Sequence, residues 1–441
     1  MKLLICFTHE RLYRSFLELG YIEAICNKYP DTEILLSHNA NFTNIKSNLN
    51  GIKFIELNGF MNKLRKFVLD LHVFKYMDLS VSFKTKIRIQ AKIPANKKIT
   101  LKNFILGGDK RWIVISILGN KFTYKTYIVF LRKLADSNNF VKLLLKKHKS
   151  QALLVVSGGP FSNIENILFR YAYKYNVKSA LVIDNWDNLS SKSILWHKPK
   201  FLGVWGENMS NDAQVIHKFS ISSIVSIGNS RIFKPVEGDI KFNFPYVLFA
   251  GSGSHFDNEK EIIILASNLL SKYGLKLLYR PHPAYLGNLK IIEDLKVIPN
   301  LVIDMQKANL INPYFYTYES LNSLLNHCTE AVFVIAGHST VIVESLYLGK
   351  QVITFSGTRS PYFNNGDLWQ GFKHLQELRY NKNIVICNNF VEFTKELELL
   401  ISKCRGKQIA NLNQNFIPEI IPNFDNSYEE RLLKFLDNLT N

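Results

Sequence analysis

The sequence predicts an α/β protein built from two doubly wound halves that face each other across a cleft. Short apolar runs, typical of buried parallel strands, alternate with helical patterns along most of the chain. The alternation is interrupted at SRIFKPVEGDIKFNFP (residues 230–245), where two prolines and a glycine indicate a linker. With 441 residues, the chain is long enough for two domains of about 200 residues each. We therefore expect a first domain over residues 1–232 and a second over residues 233–441, with a final helix that can pack back on the first.

The first half opens with a strand, KLLICF, then a helical pattern, RLYRSFLELGYIEAICNKY, and a second strand, EILLSH. This β-α-β order implies a parallel sheet. After an irregular basic stretch, the alternation continues with RWIVISI, IVFLRKLA, ALLVVSGGP, NIENILFRYAYKYNV, SALVID, FLGVWG, NDAQVIHKF and SIVSIGN. Ligands of such sheets bind beyond the carboxyl ends of the strands, so the residues after each strand are the candidate site residues.

The second half repeats the same alternation after the linker. Its segments are YVLFAGSGS, EKEIIILASNLLSKYG, LKLLYRPHP, YESLNSLLNHC, AVFVIAG, TVIVESLYLG, QVITFSG, NIVICN and FVEFTKELELLISKC. A last amphipathic pattern, SYEERLLKFLDNL, predicts a helix near the end of the chain.

The composition is that of a globular protein, with 47% hydrophobic and 21% charged residues. No apolar run reaches the roughly 18 residues that a membrane helix needs. The opening MKLLICFTHERLYR meets polar residues too early for a signal peptide, so we interpret it as a first strand. The five cysteines are scattered and form no CxxC pair, which favours reduced thiols in a cytoplasmic protein.

The positive charge is concentrated in one segment, residues 61–150. This segment holds 21 Lys and Arg against four acidic residues, so 21 − 4 = +17 of the net charge of +19 lies there. Such a segment indicates an anionic partner, such as a membrane surface or a polyanionic glycan, although it could also be a solvated face. No zinc spacing, RNA-binding aromatic motif or helix-turn-helix signature is present, so we do not expect nucleic acid. We expect a cytoplasmic protein, peripheral on the inner face of the cytoplasmic membrane.

The segment AGHSTVIVESLYLGKQVITF (residues 336–355) places one carboxylate, Glu344, in an apolar helical run. Ser339 and Thr340 fall where the helix should begin, and a helix start is a favourable site for phosphate. Thr340 and Glu344 are four residues apart and share one face, so Glu344 could accept hydrogen bonds from a ribose diol. A capping box needs an acidic residue three positions after the cap, and that residue is absent. A buried carboxylate without a partner is costly, which favours a ligand.

The segment YRPHP (residues 279–283) ends a strand of the same half. Its prolines would hold His282 at the carboxyl edge of the sheet, where His282 and Arg280 could donate to phosphate oxygens. The segment GSGS (residues 251–254) follows another strand. These strand ends together predict a site for a nucleoside monophosphate or diphosphate. Its candidate residues are Gly251, Ser252, Ser254, Arg280, His282, His338, Ser339, Thr340 and Glu344.

The acceptor side of the cleft is expected in the first half. DNWDNLSSK (residues 184–192) follows a strand and is dense in polar groups, although an Asx-rich turn would read the same way. Its candidate acceptor-binding residues are Trp186, Asn188 and Lys192. The candidate general bases are Asp184, Asp187 and His9, which follows the first strand; a histidine with a pKa near neutrality suits that role.

These segments resemble known families. The second half resembles the nucleotide-binding domain of GT-B glycosyltransferases, and AGHSTVIVESLYLGKQVI resembles the Gly…Thr…Glu…Gly pattern that holds the ribose and phosphate of a sugar nucleotide. RPHP and HST resemble the HP and Ser/Thr motifs of bacterial sialyltransferases, capsule polymerases and CDP-glycerol-type transferases. VSIGNSRIFKP resembles the hinge of these families and of sugar-nucleotide epimerases. The acidic motif that supplies the base in sialyltransferases is missing from the first half, which argues against a sialic acid donor.

The resemblance covers about residues 150–360 and implies a metal-independent, inverting GT-B glycosyltransferase for a surface polysaccharide. Its donor would be a CMP-, CDP- or UDP-linked sugar, with no further cofactor and no metal, and its acceptor a glycan or a lipid-linked glycan. Because His282 ends a strand beside HST in the expected fold, we also predict that it contacts a donor phosphate and stabilises the leaving group. Three alternatives remain open: a CDP-linked polyol-phosphate transferase, a sugar-nucleotide 2-epimerase, and an inactive GT-B module that binds a glycan.

Overall fold

The structure is a computed structural model that describes most of the two predicted halves. The described residues are 2–37, 52–55, 152–158, 163–191, 197–236, 242–251, 256–282, 289–305, 317–356, 372–405 and 415–439, with isolated positions at 126, 129, 145, 146, 195 and 369. The candidates Lys192, Ser252 and Ser254 lie outside the described residues. So do nearly all of the basic segment and, with it, the predicted elements RWIVISI and IVFLRKLA.

The first half is a seven-stranded parallel sheet in the order β3-β2-β1-β4-β5-β6-β7. Its strands are β1 (Leu3–Phe7), β2 (Glu33–Ser37), β3 (Ile52–Ile55), β4 (Ala152–Ser157), β5 (Lys178–Ile183), β6 (Phe201–Val204) and β7 (Ile224–Ser226). Every residue of β1 and β4 is buried, as expected for parallel strands covered by helices on both faces.

The helices that the described residues of the first half form are α1 (Glu10–Glu18), α2 (Tyr21–Lys28), α3 (Asn163–Lys174), α4 (Asn188–Ser191) and α5 (Glu207–Val215), with a 3₁₀ turn at Ile221–Ser223. The single helical pattern predicted after β1 is divided into α1 and α2. The division falls at Gly20, whose φ of 77° is left-handed and ends the first helix. The short helix α4 forms inside the polar segment that follows β5.

The second half is a six-stranded parallel sheet in the order β10-β9-β8-β11-β12-β13. Its strands are β8 (Tyr246–Ala250), β9 (Lys276–Arg280), β10 (Leu301–Ile303), β11 (Val334–Ala336), β12 (Val352–Phe355) and β13 (Ile384–Cys387). Its helices, within the described residues, are α6 (Phe256–Ser271), α7 (Leu289–Lys296), α8 (Tyr318–Glu330), α9 (Val341–Tyr347), α10 (Lys373–Arg379), α11 (Phe390–Arg405) and α12 (Tyr428–Asp437). The sequence patterns did not predict β10, α7 and α10, which span only three, eight and seven residues.

The last helix, α12, packs on the first half. Leu432, Phe435 and Leu436 are buried in the same apolar cluster as residues of β1, β4 and α2. Tyr29 of the first half donates a hydrogen bond to Asp437 at 2.8 Å, and Arg431 donates to the carbonyl of Ile227 at 2.8 Å. After forming the second half, the chain therefore returns to pack against the first half.

In each sheet, the order in which successive strands are added reverses at one central strand. In the first sheet β1 lies between β2 and β4, and in the second β8 lies between β9 and β11. The connections leave in opposite directions from these strands, so a crevice opens at their carboxyl ends. Among the described helices, none is both long and apolar enough to cross a membrane.

Candidate functional site

The second edge, as we call the carboxyl ends of β8, β9 and β11, brings together predicted nucleotide-binding residues. Ala250 pairs with Ala336 on one side and with Arg280 on the other, so the residues that follow these three strands are neighbours. The loop after β11 leads into helix α9, and His282 follows β9 by two residues. Three separate sequence signals therefore converge at the switch point of the second sheet.

Helix α9 carries Glu344 and begins where the sequence predicts. Thr340 is its N-cap residue but makes no side-chain capping bond, which agrees with the missing capping box. The helix ends before Gly349, whose φ of 75° is left-handed, and the Gly349 amide donates to the carbonyl of Leu346 at 3.1 Å. The helix start thus has a threonine side chain that is not used to cap it.

Glu344 is 4% exposed, and its Oε2 atom has no hydrogen-bond partner among the described residues. Burial raises the pKa of Glu344, while the positive charges of Arg231 and Arg280 act in the opposite direction. The hydroxyl of Ser339, also buried, lacks a partner in the same part of the chain. Buried polar atoms are usually satisfied, so two orphans near one helix start indicate groups that a ligand would pair.

Arg280 is occupied by protein partners. Its Nη1 donates to Asp304 at 2.5 Å, and its Nη2 donates to the carbonyl of Ser320 at 3.0 Å and to the hydroxyl of Ser320 at 3.2 Å. His327 also lies 3.5 Å from Asp304. No sequence pattern indicates this network, because its members come from β9, from the residue after β10 and from α8. Arg280 is therefore a fixed positive charge behind the second edge.

The two predicted histidines of the second edge are half-buried. Burial lowers the pKa of His282, so at neutral pH it is a neutral imidazole that can donate one hydrogen bond. The ring of His338 lies against Trp369, with 5.4 Å between ring centroids. Both side chains have further interactions within the protein.

Glycine is needed at position 251 because the side chains of Glu259 and Tyr279 lie very close to its backbone. A Cβ atom at this position would lie 2.9 Å from Oε2 of Glu259 and 2.9 Å from the hydroxyl of Tyr279. These two groups form a buried hydrogen bond of 2.6 Å directly beside the glycine. The packing of this pair accounts for the glycine, whether or not its backbone also meets a ligand.

The first edge, formed by the carboxyl ends of β1, β4 and β5, is organised around Asp184. Arg11 of α1 donates to Oδ2 of Asp184 at 2.8 Å, and Nε of Arg231 lies 3.6 Å from Oδ1. The amide of Asn229 donates to the Asp184 carbonyl at 2.9 Å. A Cβ at Gly158 would lie 3.6 Å from both Arg11 and Asp184, so the backbone after β4 lies directly beside this ion pair. Neither Arg11 nor Arg231 is among the site residues that the sequence predicts.

His9 is the N-cap residue of α1, with extended backbone angles and no side-chain capping bond. It is exposed at the end of β1. The pKa of His9 is lowered, first by partial burial and then by the charge of Arg11. A neutral imidazole at this edge is in the protonation state that a general base requires.

The segment after β5 lies between the two halves. Trp186 is 7% exposed, and its ring meets that of His374 from α10 edge-on, with 4.7 Å between centroids. Ser190 also lies 3.3 Å from Nδ1 of His374. Asn188 is fully buried, and neither of its amide atoms has a partner within the described chain. Asp187 is half-buried and has interactions of its own. Helix α10, which the sequence did not reveal, thus contacts Trp186, one of the predicted acceptor-side residues, and Ser190 of the same segment.

The described residues include no group of three or more His, Cys, Asp or Glu side chains arranged to hold a metal ion. The carboxylates of the first edge face arginines instead, since Asp184 is paired as above and Glu10 accepts from Arg14 at 2.9 Å.

No family model matches the chain, and no curated protein sequence matches it. Solved structures do. The UDP-GlcNAc 2-epimerase of Methanocaldococcus jannaschii superposes with a TM-score of 0.51 at 12% identity, covering 99% of this chain and 100% of that one. The S. aureus MnaA–UDP co-structure gives 0.50 at 13% identity, covering 100% and 98%. The apo form of the lipopolysaccharide outer core galactosyltransferase WaaB gives 0.44 at 10%, covering 99% of both chains. The two facing doubly wound sheets and the first two superpositions establish a GT-B fold.

Proposed function

We propose that the chain is a sugar-nucleotide enzyme and, more specifically, a metal-independent glycosyltransferase that moves a sugar from a nucleotide donor to a glycan or lipid-linked acceptor. The observation that carries this proposal is Glu344: a buried carboxylate at the switch point of the second sheet, with one oxygen that no described residue pairs. A buried charge held without a partner lowers stability unless a ligand completes it. A ribose diol, with two adjacent hydroxyl donors, is the matching group.

The remaining groups of the second edge suit the phosphates of such a donor. His282, as a neutral donor, would stabilise charge that develops on the leaving phosphate oxygen. Ser339 and Thr340 would contribute hydroxyl and backbone donors. Arg280, held by Asp304 and Ser320, would act through its field rather than through direct contact.

On the first edge, His9 is the stronger candidate for the base. Asp184 has both oxygens facing guanidinium groups, whereas His9 is exposed and its pKa is lowered. Asp187 remains the second candidate. Single alanine substitutions at His9 and Asp187 should leave nucleotide binding intact, and one of them should abolish transfer. Full activity in both variants would place the base elsewhere in the first half.

A thermal-shift panel of CMP, CDP, UMP, UDP and GDP would test which nucleotide the protein binds. A ligand that binds only the folded state stabilises it by RT ln(1 + [L]/Kd), so the true donor nucleotide should give the largest shift. UDP is included because MnaA was captured with it. The same panel on Glu344→Ala should lose most of the shift. A wild-type protein that responds to none of the five nucleotides would overturn the proposal.

Product analysis then separates transfer from the alternatives. The donor is incubated with and without candidate acceptors, and its sugar is examined for a changed configuration. Consumption only with an acceptor supports transfer. Epimerisation of the donor alone would favour a 2-epimerase of the kind that shares this fold, and transfer of a phosphorylated polyol would favour the polyol-phosphate enzyme. Binding with no turnover under any condition would favour a glycan-binding module.

The concentrated positive charge supports an anionic acceptor or membrane surface. The basic segment (residues 61–150) carries +17, and each basic residue near an anionic bilayer contributes about 1 kcal/mol. Binding to liposomes that contain anionic lipid should therefore weaken as salt rises, because the Debye length falls from about 10 Å at 0.1 M to about 3 Å at 1 M. If co-sedimentation of the protein with liposomes depended on neither lipid charge nor salt, electrostatic attachment would be refuted.

A further inference from the structure

The amino ends of β4 to β7 form the edge of the first sheet that lies opposite the cleft. In a parallel sheet, each connecting helix runs back along the strands, so its last turn lies near the start of the next strand. The end of α3 therefore lies near the start of β5, and the end of α5 near the start of β7. None of the groups that we assign to donor or acceptor binding lies at this edge.

Five lysines lie along this edge, at the ends of the helices and at the starts of the strands: Lys174, Lys178, Lys198, Lys200 and Lys218. We call these five residues the lysine face. The acidic residues described between positions 152 and 226 lie elsewhere, because they follow the carboxyl ends of β5 and β6 or are buried: Asp184, Asp187, Glu207, Glu165 and Asp212. The lysine face therefore concentrates one sign of charge.

The fold brings these lysines together without neutralising them. Nζ of Lys198 donates a hydrogen bond to the carbonyl of Lys218. Burial and the charge of Lys218 both lower the pKa of Lys198, as expected for two like charges held side by side. The Lys200 amide donates to the carbonyl of Ser179 at 2.8 Å, which places Lys200 next to the start of β5. Among the described residues, no carboxylate forms a salt bridge with Lys178, Lys198, Lys200 or Lys218.

Helix dipoles explain only part of this pattern. A lysine near the C-terminus of a helix is stabilised by the negative end of the dipole, which accounts for Lys174 and Lys218. Lys178, Lys198 and Lys200 instead lie at or just before the starts of β5 and β6. Sheets have only small net dipoles, so the backbone gives no electrostatic reason for lysines there.

Exposed apolar side chains lie among the lysines. Tyr173 in the last turn of α3 is 88% exposed, Val215 at the end of α5 is 56% exposed, and Ile221 just before β7 is 62% exposed. These are the exposed large apolar side chains described between positions 152 and 226, and all three lie at this edge. Tyrosine and aliphatic side chains within a ring of lysines are typical of a surface that lies on a membrane interface.

An anionic bilayer fits this combination better than a polyanionic chain does. Lysine is a point charge on a flexible stem and suits a diffuse anionic surface, whereas arginine suits bidentate recognition of a single phosphate. The headgroup region would also remove Val215 and Ile221 from water. In addition, β4 begins directly after the basic segment (residues 61–150), and its first residue, Ala152, is paired in register with Lys178. The basic segment therefore joins the sheet at the lysine face.

We propose that the lysine face, together with Tyr173, Val215 and Ile221, is a membrane-docking surface that binds anionic phospholipid. This inference rests on the proposed attachment of the protein to an anionic surface and not on the chemistry of the cleft. Strand β4 has six residues and spans about 20 Å from the amino ends to the first edge. A bilayer at the lysine face therefore leaves the cleft open on the side away from the lipid.

The test is co-sedimentation of the full chain with phosphatidylcholine vesicles, with and without an equal part of phosphatidylglycerol. The test variant reverses three charges of the face: Lys178→Glu, Lys198→Glu and Lys200→Glu. The matched control has the same net charge, because it reverses three exposed lysines of the second half: Lys272→Glu, Lys395→Glu and Lys403→Glu. Each basic residue near an anionic bilayer strengthens binding about fivefold, so the test variant should bind anionic vesicles at least about a hundredfold more weakly than wild type. The control should change binding less than about threefold, since screening limits distant charges.

A second variant, Tyr173→Ser with Ile221→Ser, keeps every charge. It should bind anionic vesicles about tenfold more weakly than wild type, because two apolar side chains no longer enter the interface. Its binding to dextran sulfate, a polyanion without an apolar phase, should be unchanged. If the charge-reversal variant lost dextran sulfate binding but kept vesicle binding, the face would belong to a polyanionic glycan and the membrane assignment would be wrong.

Equal vesicle binding by the charge-reversal variant and its control would also overturn the proposal. Should the triple variant not fold, Lys198→Gln and Lys200→Gln, made singly, should each weaken vesicle binding about fivefold. A wild-type protein that does not bind anionic vesicles would overturn both this face and the proposed attachment. The nucleotide thermal shift of every variant should equal that of wild type, so a failure of the cleft chemistry is recognised separately.

Discussion

The two edges of the cleft treat their buried carboxylates in opposite ways. On the first edge, Asp184 faces Arg11 and Arg231, at 2.8 and 3.6 Å. On the second edge, Glu344 is equally buried but keeps one oxygen without a hydrogen bond among the described residues. A paired buried charge is costly to break, whereas an unpaired one is costly to keep. The first arrangement is what a fold uses to hold itself together, and the second is what a binding site leaves for its ligand.

Removing the paired carboxylate of Asp184 should have the largest effect on stability. Asp184→Ala should lower the free energy of unfolding by about 3–5 kcal/mol, because it leaves the buried guanidinium of Arg231 without its carboxylate. Denaturant unfolding checks the value, with Asp31→Ala, at an exposed turn, as a control that should change stability by less than about 0.5 kcal/mol. A stability equal to that of wild type would remove the distinction between the edges.

Acid should weaken the first half through His217. This buried side chain lies 2.8 Å from the carbonyl of Leu189 in α4 and accepts from the amide of Leu195, in the segment between α4 and β6. Burial lowers the pKa of His217 from 6.5 to about 4. Since the unfolded chain takes up the proton first, stability should fall as the pH drops from about 6.5 to about 4, by about 3 kcal/mol in all.

The check is urea unfolding at pH 7 and pH 4, for wild type and for His217→Gln. The substitution removes the titrating group, so the loss of stability between the two pH values should shrink by about that amount. An equally steep loss in His217→Gln would assign the acid sensitivity to other groups.

A change at Glu344 should alter nucleotide affinity and not the stability of the fold. Glu344→Gln should weaken affinity for the best nucleotide by about 1.5–3 kcal/mol, the usual contribution of hydrogen bonds to a charged group. Because burial raises the pKa of Glu344, its charge opposes folding at neutral pH, and the neutral amide should leave the free energy of unfolding unchanged or higher. Calorimetry and denaturant unfolding of the same sample test both parts. Unchanged affinity, or a clear loss of stability, would mean that Glu344 is structural after all.

The smallest expected effect concerns the end of helix α9. Gly349→Ala should cost about 1 kcal/mol of stability, because a φ of 75° brings a Cβ atom close to the following carbonyl. Gly349→Asn is the matched control and should cost less, since asparagine tolerates the left-handed region. Both values come from thermal unfolding without nucleotide. A larger loss in Gly349→Asn than in Gly349→Ala would point to a steric cause instead of a backbone one.

The sequence by itself determined the parts of this protein that depend on short-range patterns. Apolar runs and helical periods predicted most of the strands, and two prolines and a glycine predicted the linker. The helix after β11 begins where the hydroxyl pair predicts and ends where Gly349 predicts, because caps and left-handed positions are properties of a few consecutive residues. The burial of Glu344 followed from its apolar neighbours in the same helix. Short elements such as β10 and α10 escaped, since three to seven residues hold too few repeats to show a period.

Only the tertiary structure decided which charges meet. Arg11 and Asp184 are 173 residues apart in the chain, and nothing in either neighbourhood indicates the other. The same holds for Arg231 beside Asp184, and for His374 against Trp186. Electrostatic pairing depends on distance and burial in the folded state, and those are set by how parallel sheets bring strand ends together. Asp184 follows an apolar strand and Glu344 lies in an apolar helix, and neither sequence context shows that one carboxylate is paired with arginines while the other keeps an oxygen without a described partner.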